Sequence, residues 1–179
     1  IIGRAIGTHT TTSRPTAIIF HTTASSSATP TERVRIQEGG GISFNGDTTQ
    51  ANALNDYEEG TWTPIVHNPS GITLSKAHGQ YRKIGKQVFA AFEITFPSTS
   101  GSDHLICKGL PFTSGNASQS NCGGVAKDYQ NVVDTADGPI YHIPQNNTQI
   151  QFYRDSGQNM LIGNVSGGNF RGVAIYLTD

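Results

Sequence analysis

The chain has little charge and few residues that favour helices. Only 14 % of its 179 residues are charged and its net charge is −1, so it lacks the cationic surface that neutralises phosphates in nonspecific nucleic-acid binding. Its 6 Leu, 5 Glu and 5 Lys contrast with 20 Thr and 21 Gly. Because β-branched and turn residues abound while helix formers are scarce, the composition predicts a mainly β protein. The low charge predicts that this protein binds no nucleic acid.

Long hydrophobic runs and cysteine motifs are also missing. No stretch approaches the ~20 apolar residues of a membrane span, so we predict no membrane insertion. Cys107 and Cys122 belong to no CxxC or CxxH grouping, which argues against zinc. We expect two small buried thiols, and a disulfide between them remains an alternative.

The sequence contains no recognisable catalytic pattern. There is no G-x-S-x-G nucleophile elbow, and the glycine runs lack the lysine of a phosphate-binding loop. Glu58 and Glu59 are adjacent, so on a helix they would diverge by about 100° rather than act as a glycosidase pair. We interpret them as a cap or an inter-subunit pair, and we predict neither enzymatic activity nor a cofactor.

Residues 1–46 carry short apolar pulses between Thr, Ser, Pro and Gly runs. In the best of these pulses, Val34 and Ile36 lie on one face of a strand, and Arg33 and Arg35 lie on the other. A segment of about 40 residues lies near the lower size limit of a domain that folds alone. With so few apolar side chains, it usually needs disulfides, metal or oligomerisation to fold. We therefore expect several chains to associate through this segment.

The rest of the chain divides into a connector and a larger β region. Residues 47–60 hold the one helical signal, with Asp47, Thr48 or Thr49 as the cap and Gly60 as the stop. The pattern of residues 61–179 predicts a β-sandwich or jelly-roll-like fold. We expect Val173, Ile175 and Leu177 of the last strand to face inward and close the core. The predicted strands cover residues 61–66, 79–84, 88–96, 105–108, 123–129, 140–143, 149–154, 159–165 and 170–177.

Two parts of the chain carry recognisable sequence motifs. Thr31-Glu32-Arg33-Val34-Arg35-Ile36, with the following glycine run and Ile42-Ser43-Phe44, resembles a module that recurs in the shafts of bacteriophage tail fibres. The string from Leu54 to Pro64, then Tyr81-Arg82-Lys83-Ile84-Gly85 and Gly109-Leu110-Pro111-Phe112, is similar to the C-terminal head of marine, podovirus-like tail fibres. The resemblance covers about residues 8–125 and leaves the last 50 residues unmatched.

The resemblance implies a parallel homotrimer located in the virion. Its organisation would be an intertwined β shaft (1–46), a short connector helix (47–60) and a receptor-binding head (61–179). Because the chain begins at Ile1 without Met, we expect a missing N-terminal region that joins other virion tail proteins. The chain also stops at Asp179, without the intramolecular chaperone-protease domain that often follows such heads, so we expect that domain to be absent or cut away.

The implied function is host-cell recognition and adsorption through a surface glycan or lipopolysaccharide. A polysaccharide-degrading tailspike and a purely structural fibre or collar segment are the alternatives. Tyr129, Asp134 and Asp137 are the candidate carbohydrate-binding residues, because aromatic faces beside carboxylates suit sugar rings. They lie in one of three candidate loops, 113–121, 129–138 and 155–159. No set of metal ligands is evident within one chain. In a threefold shaft, however, the three copies of His9 or of His21 would converge and offer three ligands.

Overall fold

The structure is a computed structural model that describes residues 2–67, 71–117, 122–132 and 139–179. Its strands form three antiparallel sheets, which confirms the all-β prediction. The chain divides into two compact units, Ile1–Tyr57 and Glu58–Asp179. Tyr57, the last residue of the first unit, is also the first residue of β5 (Tyr57–Trp62).

The first unit is built around one four-stranded meander. Its strands are β1 (Ile2–Ala5), β2 (Thr16–Thr22), β3 (Thr31–Ile36) and β4 (Ile42–Phe44), and they pair in chain order. A register shift in the β2–β3 ladder between Phe20 and His21 marks a bulge. A bulge moves the following side chains to the other face, so Glu32 lies on the same side of the sheet as Arg35.

The second unit is a two-sheet sandwich. One sheet has the order β10-β12-β13-β9-β6 and the other β11-β14-β8-β7-β5. The strands after β5 are β6 (Ile65–Val66), β7 (Lys76–Ile84), β8 (Gln87–Thr95), β9 (Ile106–Lys108), β10 (Cys122–Val125), β11 (Lys127–Gln130), β12 (Ile140–Ile143), β13 (Gln149–Tyr153) and β14 (Asn169–Leu177).

The core lies between these two sheets. Alternate residues of β8, from Val88 to Ile94, and the following Phe96 are at most 4 % exposed, as the alternation in the sequence predicts. Phe92 meets Tyr141 and Phe152 of the opposite sheet edge to face, at ring-centroid distances of 6.0 and 6.1 Å. Such aromatic pairs add to the free energy that comes from burying apolar area.

The helical connector predicted for residues 47–60 is wrong in extent. The structure has a single 3₁₀ turn, Gln50–Asn52, and residues from Tyr57 onward belong to β5. Asp47 holds the turn, because its Oδ1 accepts the Thr49 N–H at 2.8 Å. Beyond the turn, Leu54 exchanges two backbone hydrogen bonds with Ile42, and this extended pairing prevents the helix from continuing.

The strand predicted for residues 159–165 is also wrong. Only isolated bridges form at Asn159 and Leu161, and Ile162–Val165 is a 3₁₀ turn. The Asn164 side chain closes that turn by accepting the Leu161 N–H at 2.8 Å. The apolar residues of this segment therefore indicate burial and not a strand, because Met160, Ile162 and Val165 all lie in the core.

The last strand faces opposite to the prediction. Val173, Ile175 and Leu177 point outward and are 37–44 % exposed, whereas Phe170, Ala174 and Tyr176 are buried. Gly172 accounts for part of this choice, because a Cβ there would lie 2.5 Å from the Phe92 ring. The Tyr176 hydroxyl also donates to the Phe112 carbonyl at 3.0 Å, which fixes the inward face.

Candidate interaction surfaces

The N-terminal sheet turns an apolar face to solvent. Across three strands, the register aligns Ile18 with Ile36 and Ile42, and Phe20 with Val34 and Phe44. We call these six residues the apolar ladder. All except half-buried Val34 are exposed, by as much as 53 % at Phe44. Adjacent cross-strand apolar residues on one face are the usual inner surface of a packed sheet.

The opposite face of this sheet is covered and mixed, with Ala17 and Ile19 buried beside Arg35 and Ser43. The Ser43 hydroxyl donates to the Asp47 carbonyl at 2.6 Å and accepts from the Gln37 amide at 3.1 Å, so the chain after β4 folds over this face. Arg35 forms a bidentate pair with Glu32, with both N–O distances 2.8 Å. The Arg35 hydrogen bonds lower the pKa of Glu32, and Glu32 in turn raises the pKa of Arg35.

A second apolar surface lies on the outer side of the β11-β14-β8-β7-β5 sheet. Ladder pairing aligns Leu177 with Gln87 and Ile84, Ile175 with Phe89 and Arg82, and Val173 with Ala91 and Gln80. We call these nine outward residues the head face. Its large apolar members, Ile84, Phe89, Val173, Ile175 and Leu177, are each 36–45 % exposed.

A groove of about 770 Å³ runs across the head face. The groove is lined by Phe89, Ala91 and Val173 from β8 and β14, and by Glu59, Thr61, Gln80 and Arg82 from β5 and β7. Glu59 and Arg82 pair at 3.8 Å and are both largely exposed. The volume is in the range of small-molecule sites, about 300–1,000 Å³.

Beyond Val173 and Ala91 the same sheet surface becomes ionic. Glu93 binds Lys76 and Arg171, each at 2.8 Å. Hydrogen bonds from Lys76, which has the larger effect, and from Arg171 lower the pKa of Glu93 from 4.5 to about 2. The outer surface of the sheet is therefore divided into an apolar part and a part whose charges already have partners.

The predicted carbohydrate-binding residues are Tyr129, Asp134 and Asp137. Tyr129 lies in β11, whereas Asp134 and Asp137 lie outside the described residues. Of the candidate loops, residues 155–159 form an exposed turn in which Arg154 N–H donates to the Gln158 carbonyl. Whether the three residues form a site stays a prediction.

The adjacent carboxylates of β5 make ion pairs within the chain. Glu58 pairs with Lys83 at 3.5 Å and Glu59 with Arg82, both on β7. Because both residues lie in β5, the interpretation as a helix cap is wrong, whereas the interpretation as an inter-subunit pair stays a prediction. Because side chains alternate along a strand, the two glutamates also point to opposite faces of the sheet.

The residues that the structure describes contain neither a cluster of metal ligands nor a membrane-spanning helix. Among them, no group of three or more His, Cys, Asp and Glu side chains is placed to hold a metal ion. His9 Nε2 lies 3.3 Å from the Pro15 carbonyl, and the buried His21 Nδ1 makes no hydrogen bond within the described part of the chain. No helix in that part is long and apolar enough to cross a membrane.

The sequence predicts part of the first of these surfaces and none of the second. The alternation in β3 predicts that Val34 and Ile36 lie on the face opposite Arg35, and the structure confirms it, whereas their alignment with β2 and β4 comes from the pairing register. The sequence does not reveal the head face, because β14 is apolar on both sides and the prediction places its aliphatic side in the core. Comparison with protein-family models, curated proteins and solved structures finds no match for the chain.

Proposed function

We propose that the chain is the distal part of a homotrimeric phage tail fibre that attaches to a host-cell surface glycan or lipopolysaccharide. The N-terminal unit provides association and the C-terminal sandwich provides the surface for recognition. One observation carries the proposal: the apolar ladder is exposed in a single chain, while the opposite face of the same sheet is covered. The resemblance of residues 31–44 and 54–64 to tail fibres supports the threefold state.

The energetics favour association through the ladder. Full burial of a Val, Leu, Ile or Phe side chain is worth about 1.5–3 kcal/mol. Five ladder residues keep roughly 40–50 % of their surface in solvent, so their burial stabilises an assembly by about 3–7 kcal/mol per chain. Three copies also multiply weak contacts with a repetitive cell surface, which raises the overall affinity by about 10²–10⁴.

Binding of the fluorescently labelled chain to a panel of bacterial cells tests the proposal. We expect saturable binding to at least one strain, and we expect the ladder variant Ile36→Lys to bind far more weakly because it loses multivalency. Ile65→Lys, which changes the same residue type at an exposed position of β6, should bind like the wild type. Release of oligosaccharide would indicate a tailspike, and absence of binding to every strain would indicate a structural segment.

A further inference from the structure

The turn that follows β4 is built on the one Asn-Gly pair of the sequence. Asn45 has a φ of 56° and Gly46 a φ of 79°, and the Asp47 N–H donates to the Phe44 carbonyl at 3.1 Å. Positive φ at both central residues defines a type I′ turn, for which Asn-Gly is a preferred pair. The turn brings Asp47 to the position where its carbonyl accepts the Ser43 hydroxyl.

An asparagine that precedes glycine has a reaction open to it that needs only water. The backbone nitrogen of the glycine loses its proton and attacks the side-chain carbonyl carbon of the asparagine, which closes a five-membered succinimide. The C–N bond of the side-chain amide breaks, and ammonia leaves with the proton. Water then opens the ring at either carbonyl and gives aspartate or isoaspartate. Glycine favours the first step because no side chain crowds its nitrogen.

The structure leaves both reacting groups of this pair accessible. Asn45 and Gly46 are exposed, and nothing lies within 4 Å of the place that a Cβ on Gly46 would occupy. Within the part of the chain that the structure describes, neither the Asn45 side chain nor the Gly46 N–H forms a hydrogen bond. The amide is therefore free to rotate toward the nitrogen, and the nitrogen is open to bases in solvent.

Asn146 provides a comparison within the same chain. It has a positive φ of 50° and is also exposed. The residue that follows it is Asn147, which carries a Cβ next to its nitrogen and whose N–H donates to the Ser114 hydroxyl at 3.0 Å. Two asparagines of similar backbone conformation therefore differ in the nucleophile beside them, which is free at Gly46 and occupied at Asn147.

We propose that Asn45 is a site of spontaneous deamidation and that its isoaspartate product loosens the first unit. Isoaspartate continues the main chain through its side chain, so it adds a carbon atom to the backbone between Phe44 and Asp47. A longer backbone displaces the Asp47 carbonyl, which accepts the Ser43 hydroxyl at 2.6 Å and the Gln37 amide at 3.3 Å. The reaction needs no second chain and does not depend on the proposed function.

Peptide mapping by mass spectrometry tests the assignment after the full, folded chain is incubated at mildly alkaline pH. We expect conversion at Asn45 to be faster than at Asn146 by about tenfold or more, a barrier difference of about 1.4 kcal/mol. Both aspartate and isoaspartate should form, because direct hydrolysis of the side-chain amide gives aspartate alone. Equal conversion at the two positions, absence of isoaspartate, or conversion of Asn45 only in denaturant would overturn the proposal.

Asn45→Gly separates this reaction from other effects of ageing. Gly-Gly also forms type I′ turns, so the variant keeps the turn and lacks the reactive amide. Aged wild type should unfold at a lower urea concentration than fresh wild type, whereas aged and fresh Asn45→Gly should unfold alike. Equal midpoints for fresh and fully converted wild type would overturn the loosening and leave the modification site standing. If Asn45→Gly does not fold, ion exchange separates converted from unconverted wild type by the added carboxylate, and the two fractions give the same comparison.

Discussion

Arg35 and Glu32 form a bidentate ion pair on the covered side of the N-terminal sheet, with side-chain exposures of 8 % and 15 %. Val34 and Ile36, next to Arg35 along the strand, point to the other side. This sheet therefore covers an ion pair together with Ala17 and Ile19, and it leaves the apolar ladder exposed. A lone soluble domain usually packs such an apolar face against other elements, and its exposure is the basis of the proposed association.

Glu32→Gln should destabilise the first unit. The substitution leaves the Arg35 guanidinium without its charged partner, and hydrogen bonds to charged groups contribute about 1.5–3 kcal/mol. The pKa of Glu32 is lowered in the folded state, so its contribution is present above the ordinary value of 4.5 and is lost as the pH falls below it. Urea unfolding at pH 7 and pH 3 measures both effects.

Glu38→Gln, which changes an exposed glutamate outside the strands, is the control for Glu32→Gln. It should unfold like the wild type at both pH values. An equal stability of Glu32→Gln and wild type at pH 7 would mean that the pair adds nothing to the folded state.

Glu93→Gln should flatten the acid dependence of the sandwich. Lys76 and Arg171 lower the pKa of Glu93 from 4.5 to about 2. The stabilisation from this carboxylate is therefore complete above pH 4.5 and is lost as the pH falls toward 2. Thermal melts across this range should show the wild type losing its advantage over Glu93→Gln. Glu59→Gln, at the longer and more exposed pair, should keep the wild-type slope.

Gly79→Ala should destabilise the sandwich by overpacking. A Cβ at this position would lie 2.4–2.5 Å from the Trp62 indole, whose Nε1–H donates to the Ala91 carbonyl at 3.0 Å. Forcing an extra methyl into such a site costs about 1–3 kcal/mol. Gly101→Ala is the matched control, because nothing lies within 4 Å of a Cβ there. Trp62 fluorescence during urea unfolding measures both variants, and equal midpoints would contradict the packing at Gly79.

Cys107 should resist thiol reagents until the sandwich unfolds. Burial raises its pKa to about 12, and the thiolate is the reactive form. Peptide mapping after a timed maleimide reaction should find Cys107 unlabelled in native buffer and fully labelled in denaturant. Rapid labelling in native buffer would show that β9, where Cys107 lies, opens easily.

The sequence predicts a face correctly where one face of a strand is clearly more apolar than the other. In β3 the apolar Val34 and Ile36 alternate with arginines, and in β8 the inward residues from Val88 to Ile94 form an uninterrupted apolar series. Both orientations are as predicted. In β14 both faces are apolar, and the choice depends on the room that Phe92 leaves at Gly172, which is a contact between strands 80 residues apart.

Local signals mislead where long-range backbone pairing competes with them. The Asp47 carboxylate accepts the N–H of Thr49, the residue that precedes the 3₁₀ turn, but Leu54 then pairs with Ile42 and the helix ends after one turn. The candidate binding residues could not be derived from pattern at all, because a binding surface depends on which side chains neighbouring strands bring together. The head face exists only through the register of β14, β8 and β7.

Molecular mass in solution tests the central claim most directly. Light scattering coupled to size exclusion should give the wild type a mass three times that of the 19.1 kDa chain. The mass of the ladder variant Ile36→Lys should shift toward that of one chain, while Ile65→Lys should keep the wild-type mass. A folded wild-type protein with the mass of a single chain at every concentration tested would contradict the account.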